Sequence, residues 1–380
     1  MDADDRFMWM ALDLARQGRG RTSPNPLVGA VVVQDTEVVG TGYHQAAGSA
    51  HAEIIALKKA GEKAKGATLY VNIEPCSHYG RTGPCTEAII KAGISRVVAA
   101  IQDPNPLVSG RGFAQLREAG VKVKEGVLED KARRLNEVFI KYITTGLPFV
   151  GIKVAMSLDG KIGTMTGESH WITGEKSRQF VHRLRDQSDV ILVGIETVLK
   201  DNPRLTTRVE GSEGKDPVRV IVDSSARLPL DARVVETSSS ARTILAVTNQ
   251  APPDKCRALE DRGVEILTLP SLHGRVDVTY LMKQLAEREL TTVLVEGGGT
   301  LNYSLLEQSL VDKLFVFIAP LLIGGAKSPT AFAGAGIESL KKAWAVEDIE
   351  MKQFDQDMLL IGYPVPAHKQ AETVSQGQAN

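Results

Sequence analysis

The stretch PCSHYGRTGPC, residues 75–85, holds two of the three cysteines in this chain of 380 residues. The third cysteine, Cys256, lies far away in the sequence. The neighbours of Cys76 and Cys85 are glycine, proline and polar residues, not the apolar residues that bury a cysteine as a small hydrophobe. The spacing therefore predicts that the two thiols have a shared chemical function.

A histidine and a glutamate precede this stretch in AHAEII, residues 50–55. With the two cysteines, His51 and Glu53 form the His-x-Glu and Pro-Cys…Cys pattern of zinc deaminases, although eight residues separate the cysteines instead of two. One imidazole and two thiolates leave a tetrahedral Zn²⁺ one open position, where the pKa of a water is lowered. We expect His51, Cys76 and Cys85 to bind zinc. Glu53 is then the catalytic residue that transfers the protons.

Two less specific interpretations of these residues remain open. In the first, His51 caps a helix, Glu53 is solvated and the cysteines are inert. In the second, the zinc is structural and has four protein ligands, the fourth being His78. His44, nearby, faces the substrate or is only a polar residue at the end of a strand.

An asparagine between two prolines is a further candidate. Asn25 lies in TSPNPLVGAVVV, residues 22–33, just before a predicted strand. The prolines hold this segment extended, and the amide offers both a donor and an acceptor to the edge of a substrate ring. The alternative, an ordinary asparagine in a turn, is equally compatible with the sequence.

The composition excludes a strong electrostatic attraction to polyanions. With 45 Lys and Arg against 46 Asp and Glu, the net charge is −1, so we expect neither nucleic acid nor a membrane surface as a partner, and a charged ligand must be bound locally. The chain starts acidic, without the pattern of a signal peptide, and its longest apolar runs have the length of strands. We expect a soluble cytoplasmic protein with reduced thiols.

The apolar periodicity predicts two α/β domains, because strand and helix patterns alternate through the chain. In the first part, an amphipathic helix and a hairpin at 27–44 precede three strands that alternate with helices. This alternation indicates a largely parallel sheet covered on both faces. A single helix is predicted over 129–146.

A helix stop followed by Gly146, Leu147 and Pro148 places the predicted boundary between domains 1–146 and 147–365. The second part alternates again and is predicted to end with an antiparallel strand pair that closes its sheet. The segment 366–380 has too few apolar residues to pack, so a disordered tail is expected.

A glycine-rich turn in the second part indicates a phosphate site. In TTVLVEGGGTLNYSLL, residues 291–306, a buried strand leads through glycines into a helix. The backbone N–H groups of Gly297, Gly298, Gly299 and Thr300 can approach a phosphate closely there. The turn lacks the Rossmann spacing, and a simple strand-to-helix connection is the alternative.

Several motifs resemble one enzyme family over nearly the whole chain. The segments SPNPLVGAVVV, HAEIIAL, EPCSHYGRTGPC and IQDPNPLVSGRG resemble the deaminase half of the bifunctional riboflavin-biosynthesis deaminase/reductase. The segments KVAMSLDGKIG, GESHWIT, RLRDQSDVILVGIETVLKDNPRLTTR and VEGGGTL resemble its reductase half. Gly83 and Ala50 depart from the family, which usually has proline at both positions.

The resemblance implies an α/β protein with a three-layer cytidine-deaminase-like domain and a dihydrofolate-reductase-like domain. It implies zinc-dependent deamination of a small-molecule substrate, 2,5-diamino-6-ribosylamino-4(3H)-pyrimidinone 5′-phosphate, and then reduction of its ribosyl group by NADPH. The implied cofactors are therefore one Zn²⁺ and NADPH. A homo-oligomer is also expected.

The resemblance also implies residue roles in the reductase. The residues expected to contact NADPH are Ala155, Trp171, Thr197, Asp201, Ser224 and the turn from Gly297 to Thr300. Those expected to contact the substrate are Ser169, Arg185, Leu205, Arg208 and Glu296. Lys153 is a further substrate-contact candidate, through the ribose hydroxyls or a developing charge on nitrogen, and a structural salt bridge is its alternative.

Two other functions are less compatible with the sequence. A deaminase of nucleic acid uses the same zinc chemistry, but the near-zero charge, the long loop between the cysteines and the second domain disfavour it. A binding module without turnover is disfavoured because His51, Glu53, Cys76 and Cys85 are all present.

Overall fold

The computed structural model describes residues 2–79, 83–106, 108–211, 214–236 and 241–367. The chain forms two compact units, Met1–Leu147 and Pro148–Asn380. From residue 368 onwards, the tail expected at 366–380 lies outside the described residues. In the described part, no helix has both the length and the apolar character needed to cross a membrane.

The first unit is a five-stranded sheet with helices packed on it. Its helices are α1 (Ala3–Arg16), α2 (Ala52–Ala60), α3 (Cys85–Lys91), α4 (Arg111–Glu118), α5 (Glu129–Leu135) and α6 (Glu137–Thr145), with a 3-10 helix at Gly61–Ala64. Its strands are β1 (Gly29–Gln34), β2 (Glu37–Tyr43), β3 (Thr68–Val71), β4 (Arg96–Ala99) and β5 (Lys122–Lys124).

The predicted hairpin is confirmed, but the sheet is not largely parallel. The strand order is β2-β1-β3-β4-β5. β1 is antiparallel to both β2 and β3, whereas β3, β4 and β5 are parallel to one another. The prediction was wrong here because the connection from β2 through α2 places β3 beside β1, the strand that runs in the opposite direction.

Helices cover both faces of this sheet, as expected. A Cβ at Gly29 would point at Ala11 in α1, and a Cβ at Gly42 would point at Ala52 in α2. Gly42 pairs with Ala30, the neighbour of Gly29. Because successive strand residues point to opposite faces, α1 and α2 lie on opposite sides of the sheet.

The single helix predicted over 129–146 is two helices, α5 and α6, which meet at Asn136. The side chain of Asn136 accepts a hydrogen bond from the Leu27 N–H at 2.8 Å and donates one to the Leu27 carbonyl at 3.1 Å. This buried amide holds the junction of α5 and α6 against Leu27, just before β1. A helix pattern read from local periodicity cannot include such a contact between distant residues.

The second unit contains a nine-stranded sheet and five helices among its described residues. Its helices are α7 (Glu175–Asp186), α8 (Ile195–Asp201), α9 (Pro253–Glu260), α10 (Val278–Glu287) and α11 (Gly299–Glu307), with a 3-10 helix at Leu340–Lys342. Its strands are β6 (Phe149–Ser157), β7 (Val190–Gly194), β8 (Val218–Val222), β9 (Thr243–Val247), β10 (Val264–Thr268), β11 (Ser271–Leu272), β12 (Arg275–Val276), β13 (Thr292–Val295), β14 (Lys313–Ala319), β15 (Ala345–Phe354) and β16 (Asp357–Val365).

The order of the large sheet is β10-β9-β8-β7-β13-β6-β14-β16-β15. In this order, the first seven strands, which begin with β10 and end with β14, run parallel to one another. β16 then pairs antiparallel with β14, and β15 pairs antiparallel with β16. The parallel sheet and its antiparallel closing pair are both confirmed. Ile191, Ile221 and Leu245 in the central strands are fully buried, as expected for strands covered on both faces.

The substitution Gly29→Ala tests the contact between α1 and the sheet. A Cβ at this position would lie 2.0 Å from the Ala11 carbonyl oxygen, so the helix would have to move. We expect the first unit to lose about 1–3 kcal/mol of unfolding free energy, measured by chemical denaturation followed by circular dichroism. Gly83→Ala is the control, because a Cβ there would meet nothing within 4 Å. Equal stability of the two variants would contradict the close packing.

Candidate metal centre and cavity

Three potential metal ligands converge in the first unit. The ligand atoms of His51, Cys76 and Cys85 all lie within 4.8 Å of one another. His51 Nδ1 is 3.1 Å from the Cys85 sulfur and 3.5 Å from the Cys76 sulfur. A tetrahedral Zn²⁺ holds nitrogen and sulfur at about 2.0–2.3 Å, which separates its ligands by roughly 3.5–3.8 Å. The donor set and its spacing therefore fit zinc with one position open.

Two helix ends and one loop position these ligands. His51 is the N-cap residue of α2, and Cys85 is the first residue of α3. Cys76 lies in the loop that follows β3, and its sulfur accepts a hydrogen bond from the Cys85 N–H at 3.4 Å. The positive end of the α3 dipole and this N–H both favour a thiolate.

The electrostatics favour the thiolate at Cys76, whereas the hydrogen bond to Cys76 and burial raise the pKa of Cys85. The pKa of Cys76 is lowered to about 4, because its sulfur is hydrogen-bonded by the Cys85 side chain, by His51 and by the Cys85 N–H. Glu53, in the first turn of α2, has a side chain that is almost completely buried. Burial, followed by the charge of Cys76, raises the pKa of the Glu53 carboxyl.

The structure does not support either of the less specific interpretations. His51 occupies the N-cap position but its side chain makes no capping hydrogen bond, and Glu53 is not solvated. Among the described residues, His78 does not belong to the ligand cluster. A structural site completed by His78 is therefore not formed here.

His44 links Asn25 to the metal centre. Its Nδ1 lies 3.2 Å from the Ala50 carbonyl oxygen, which can only accept, so Nδ1 carries the proton. Its Nε2 then accepts from the Asn25 amide nitrogen at 3.1 Å. The His44 ring packs edge-on against His51, with 5.7 Å between centroids. This chain of contacts brings Asn25 to the site and leaves its carbonyl oxygen available as an acceptor.

The departures at Ala50 and Gly83 have little structural effect. The contact of Ala50 with His44 uses only the backbone carbonyl, so proline is not needed for it. A Cβ at Gly83 would meet nothing within 4 Å. Nothing in the described surroundings of Gly83 requires a glycine.

Glu74 is a positioning residue that the sequence patterns did not reveal. Its buried carboxylate accepts four backbone N–H groups, from Gly112 at 2.8 Å, Gly110 at 3.0 Å, and Asp103 and Phe113 at 3.1 Å each. These bonds tie the start of α4 and the preceding loop to the segment that carries Cys76. The EPC sequence was a signal, but the partners are 29 to 39 residues away.

The second unit contains a cavity of about 1020 Å³. It lies against the second half of β6 and the turns that follow β7 and β13, which is where parallel sheets bind ligands. The volume is at the upper end of the range for small-molecule sites. The predicted residues among those lining it are Lys153, Ala155, Ser169, Trp171, Arg185, Thr197, Asp201, Leu205, Arg208, Glu296, Gly297 and Gly298.

A buried carboxylate with two cations lies on the cavity wall. Arg185 binds Glu296 with two hydrogen bonds of 2.6 and 2.9 Å, and Lys153 Nζ lies 3.5 Å from the same carboxylate. Burial raises the pKa of Glu296, but Arg185 and Lys153 outweigh it and lower the value to about 2. Glu296 is therefore ionised, and the salt bridge considered for Lys153 is present.

Other predicted residues have identifiable partners. The Ser169 hydroxyl donates to Asp201 at 3.1 Å, and Arg178 lies over the Trp171 ring at 4.6 Å. The three predicted residues outside the cavity lining are Ser224, Gly299 and Thr300. The Ser224 hydroxyl accepts from the Val276 N–H at 3.1 Å.

The glycine-rich turn begins a helix, as its pattern predicts. Gly298 is the N-cap residue of α11, and Gly299 is its first residue. A Cβ at Gly299 would lie 2.4 Å from the Thr330 carbonyl oxygen, and one at Gly297 would lie 2.9 Å from Leu301. Close packing therefore accounts for two of the three glycines, and the N–H groups at the helix start remain suited to an anion.

Family comparisons agree with both units. The model for the cytidine and deoxycytidylate deaminase zinc-binding region matches residues 1–101, and the model for the RibD C-terminal domain matches residues 148–360. The riboflavin biosynthesis protein RibD of Aquifex aeolicus is 44% identical over 94% of this chain and 98% of its own length. RibD of Escherichia coli is 44% identical over 84% of this chain and 89% of its own length.

Solved structures give the same result. Acinetobacter baumannii RibD, form 1, is similar with a TM-score of 0.86 and 38% identity, covering 96% of this chain and 99% of its own. The Thermotoga maritima diaminohydroxyphosphoribosylaminopyrimidine deaminase/5-amino-6-(5-phosphoribosylamino)uracil reductase has a TM-score of 0.82 and 39% identity, covering 95% and 99%.

Fold and site together define a zinc-binding deaminase joined to a pyrimidine reductase. The chain belongs to the RibD family, and it combines a deaminase and a reductase step of riboflavin biosynthesis. The expected fold class, a cytidine-deaminase-like domain and a reductase domain with a dihydrofolate-reductase-like fold, is confirmed.

Zinc content tests the ligand set. Cys76→Ser removes one thiolate ligand, so we expect zinc to fall from about one ion per chain to well below one. Cys256→Ser is the matched control, because Cys256 is a free cysteine of the other unit. Metal analysis of both purified variants measures the effect, and full zinc in Cys76→Ser would contradict the assignment.

Proposed function

We propose that the first unit hydrolyses 2,5-diamino-6-ribosylamino-4(3H)-pyrimidinone 5′-phosphate to 5-amino-6-ribosylaminouracil 5′-phosphate and ammonia, and that the second unit reduces this product with NADPH. The observation that carries the proposal is the buried Glu53 beside a His, Cys and Cys ligand set. The Thermotoga protein, similar over 95% of this chain, is named for a deaminase and a reductase activity, which supports the same pair of reactions.

In the deamination, Glu53 is proposed as the proton carrier. Zinc, when bound by His51, Cys76 and Cys85, acts as a Lewis acid that lowers the pKa of a bound water. Glu53 would carry both protons of the attacking water: the first to the ring nitrogen as the C–O bond forms, and the second to the departing amine as the C–N bond breaks. Asn25, whose amide nitrogen is engaged by His44, accepts an N–H of the pyrimidine through its carbonyl oxygen.

In the reduction, the ribosylamine opens to an imine, C1′ receives a hydride and the imine nitrogen receives a proton from solvent, which leaves a ribityl chain. NADPH supplies the hydride. The turn from Gly297 to Thr300 is proposed to bind a cofactor phosphate at the start of α11. The other residues proposed to contact the cofactor are Ala155, Trp171, Thr197, Asp201 and Ser224.

The substrate is proposed to lie between the helix α7 and the loop 202–208. Lys153, held at its Nζ by Glu296, can donate to the ribose hydroxyls. The remaining proposed contacts are Ser169, Arg185, Leu205, Arg208 and Glu296.

The functional domains are proposed as 1–146 and 147–365. A cytoplasmic location is also proposed, because the cysteines that would bind zinc are free thiols.

Mass spectrometry of the products tests the proposal and the role of Glu53. Wild-type protein loaded with zinc should exchange an amino group for oxygen without a cofactor, and should add two hydrogens only when NADPH is present. Glu53→Gln should keep its zinc and lose at least about 100-fold in deamination rate, while it still reduces the supplied deaminated substrate.

Glu62→Gln is the control for this experiment, since Glu62 is an exposed residue near the same helix. Normal deamination by Glu53→Gln would rule out the proton-transfer role. The proposed substrate is ruled out if the wild-type protein forms neither product while its zinc content is verified and a competent enzyme serves as a positive control.

We also propose a homo-oligomer that uses the edge of the nine-stranded sheet. β15 is an edge strand with exposed Ile349 and Met351, at 55% and 67% exposure, and such edges pair readily with another chain. Light scattering should give at least twice the chain mass of 41.0 kDa. Met351→Glu should shift the mass towards the monomer, whereas Leu272→Glu on the exposed β11 strand should not. A monomeric wild-type protein would refute the proposal.

A further inference from the structure

A histidine on the cavity wall has no role in the reactions described so far. His182 lies on α7 between Arg178 and Arg185, four residues after the first and three before the second. This spacing places the three basic side chains on one helix face, and all three line the cavity. Arg208, on the loop that follows α8, faces them.

The proton position on His182 follows from its contact with Arg208. The backbone N–H of Arg208 donates to His182 Nδ1 at 3.2 Å. A nitrogen that accepts a hydrogen bond carries no proton, so the single proton of the neutral imidazole is on Nε2. His182 can therefore donate a hydrogen bond from Nε2, the ring nitrogen that does not contact the backbone of Arg208.

The second contact brings two donors together. His182 Nε2 lies 3.4 Å from the guanidinium Nη2 of Arg208. Arginine has no acceptor atom, and Nε2 already carries the proton. The two groups therefore cannot satisfy each other, and an acceptor placed beside both would receive a hydrogen bond from each.

The charges in this part of the cavity favour an anionic acceptor. Among the described residues, no carboxylate forms an ion pair with Arg208. Burial, then the charges of Arg185 and Arg204, lower the pKa of Arg208, and the opposing charge of Asp216 is too weak to offset them. An anion between Arg208 and His182 would reduce this repulsion between cations.

We propose that His182 and Arg208 bind one oxygen of the substrate's phosphate monoester, with His182 donating from Nε2–H. This inference rests on the proposed function, because it takes a ribosyl phosphate as the ligand of the cavity. It adds His182 as a neutral donor to the arginines already assigned there. A neutral donor contributes a directed hydrogen bond without a further positive charge beside Arg185 and Arg208.

The titration of His182 agrees with the neutral state. Burial, followed by the charges of Arg185 and Arg208, lowers its pKa to about 4. Glu296 acts in the opposite direction and Arg178 in the same one, both more weakly. The ring is therefore uncharged at neutral pH in the free protein.

Two substitutions separate the donor from the backbone contact. In His182→Asn, the amide oxygen can replace Nδ1 as the acceptor for the Arg208 N–H, but the distal donor is lost. In His182→Gln, an amide nitrogen replaces the Nε2–H donor and the acceptor is lost. His273→Asn is the control, because His273 is an exposed residue beside β11.

The assay measures NADPH oxidation by the full-length protein with 5-amino-6-ribosylaminouracil 5′-phosphate and with the same compound lacking phosphate. For the phosphorylated substrate, His182→Asn should raise KM about 10-fold, the size of one hydrogen bond to a charged group. His182→Gln should raise it less. For the substrate without phosphate, wild-type protein and His182→Asn should have the same kcat/KM.

The proposal would be overturned if His182→Asn lowered kcat/KM equally for both substrates. It would also be overturned if His182→Asn left the KM for the phosphorylated substrate unchanged. The cofactor also carries phosphates, so the KM for NADPH is measured in parallel. A rise in that KM alone would assign the His182 contact to the cofactor and overturn the substrate assignment.

A second measurement separates this inference from the proposed function. If the wild-type protein does not oxidise NADPH with either substrate, the proposed reaction fails, and titration calorimetry with ribose 5-phosphate then tests the site directly. About 10-fold weaker binding by His182→Asn, with unchanged binding by His273→Asn, would support the phosphate site. Equal binding by His182→Asn and the wild-type protein, or no binding by either, would overturn it.

Discussion

The close approach of α2 to the first hairpin is the constraint on which the candidate metal centre depends. A Cβ at Gly42 would lie 2.3 Å from the Ala52 carbonyl oxygen, and one at Gly40 would lie 2.2 Å from that of Ala56. Only glycine allows this contact, because the helix backbone rests directly on the strand. His51 is the N-cap of the same helix and Glu53 is in its first turn. The positions of His51 and Glu53, the proposed zinc ligand and proton carrier, are therefore set by packing between backbones rather than by flexible side chains.

In the second unit, charge rather than backbone packing positions the residues of the cavity wall. Glu296 follows β13 with a side chain only 6% exposed, and two cations on neighbouring elements compensate its charge. Removing one partner of a buried ion pair costs about 3–5 kcal/mol, because the other charge remains buried. Arg185 thus fixes the end of β13 relative to α7, and the cavity between these elements keeps its shape.

The sequence predicted those features that depend on local pattern or on metal chemistry. The hairpin, the parallel sheet with its antiparallel closing pair, and the grouping of His51, Cys76 and Cys85 were all accessible in this way. The break at Asn136 and the four bonds to Glu74 were not, because both join residues far apart in the sequence. The antiparallel pairing of β1 with β3 was also missed, since the order of strands depends on which side a crossover takes.

His182 shows a different limit of sequence reasoning. Its spacing from Arg178 and Arg185 places the three residues on one face of α7, but the sequence patterns did not single it out. The chemistry, however, depends on which ring nitrogen carries the proton, and that is set by the backbone of Arg208. A periodic pattern can place a side chain on a surface. It cannot assign a tautomer, because that requires the partner from another element.

Because the net charge of the chain is near zero, the binding of an anion depends on these local contacts. With a net charge of −1, long-range attraction contributes little to the capture of a phosphate, and screening removes what remains beyond about 8–10 Å. Binding must come from donors that already point into the cavity. Arg178, His182 and Arg185 share one face of α7, so the helix presents them together without a loop having to fold around the ligand. Preorganised donors lose less conformational entropy on binding than mobile side chains do, and a chain without a strong overall field can therefore still select an anionic substrate.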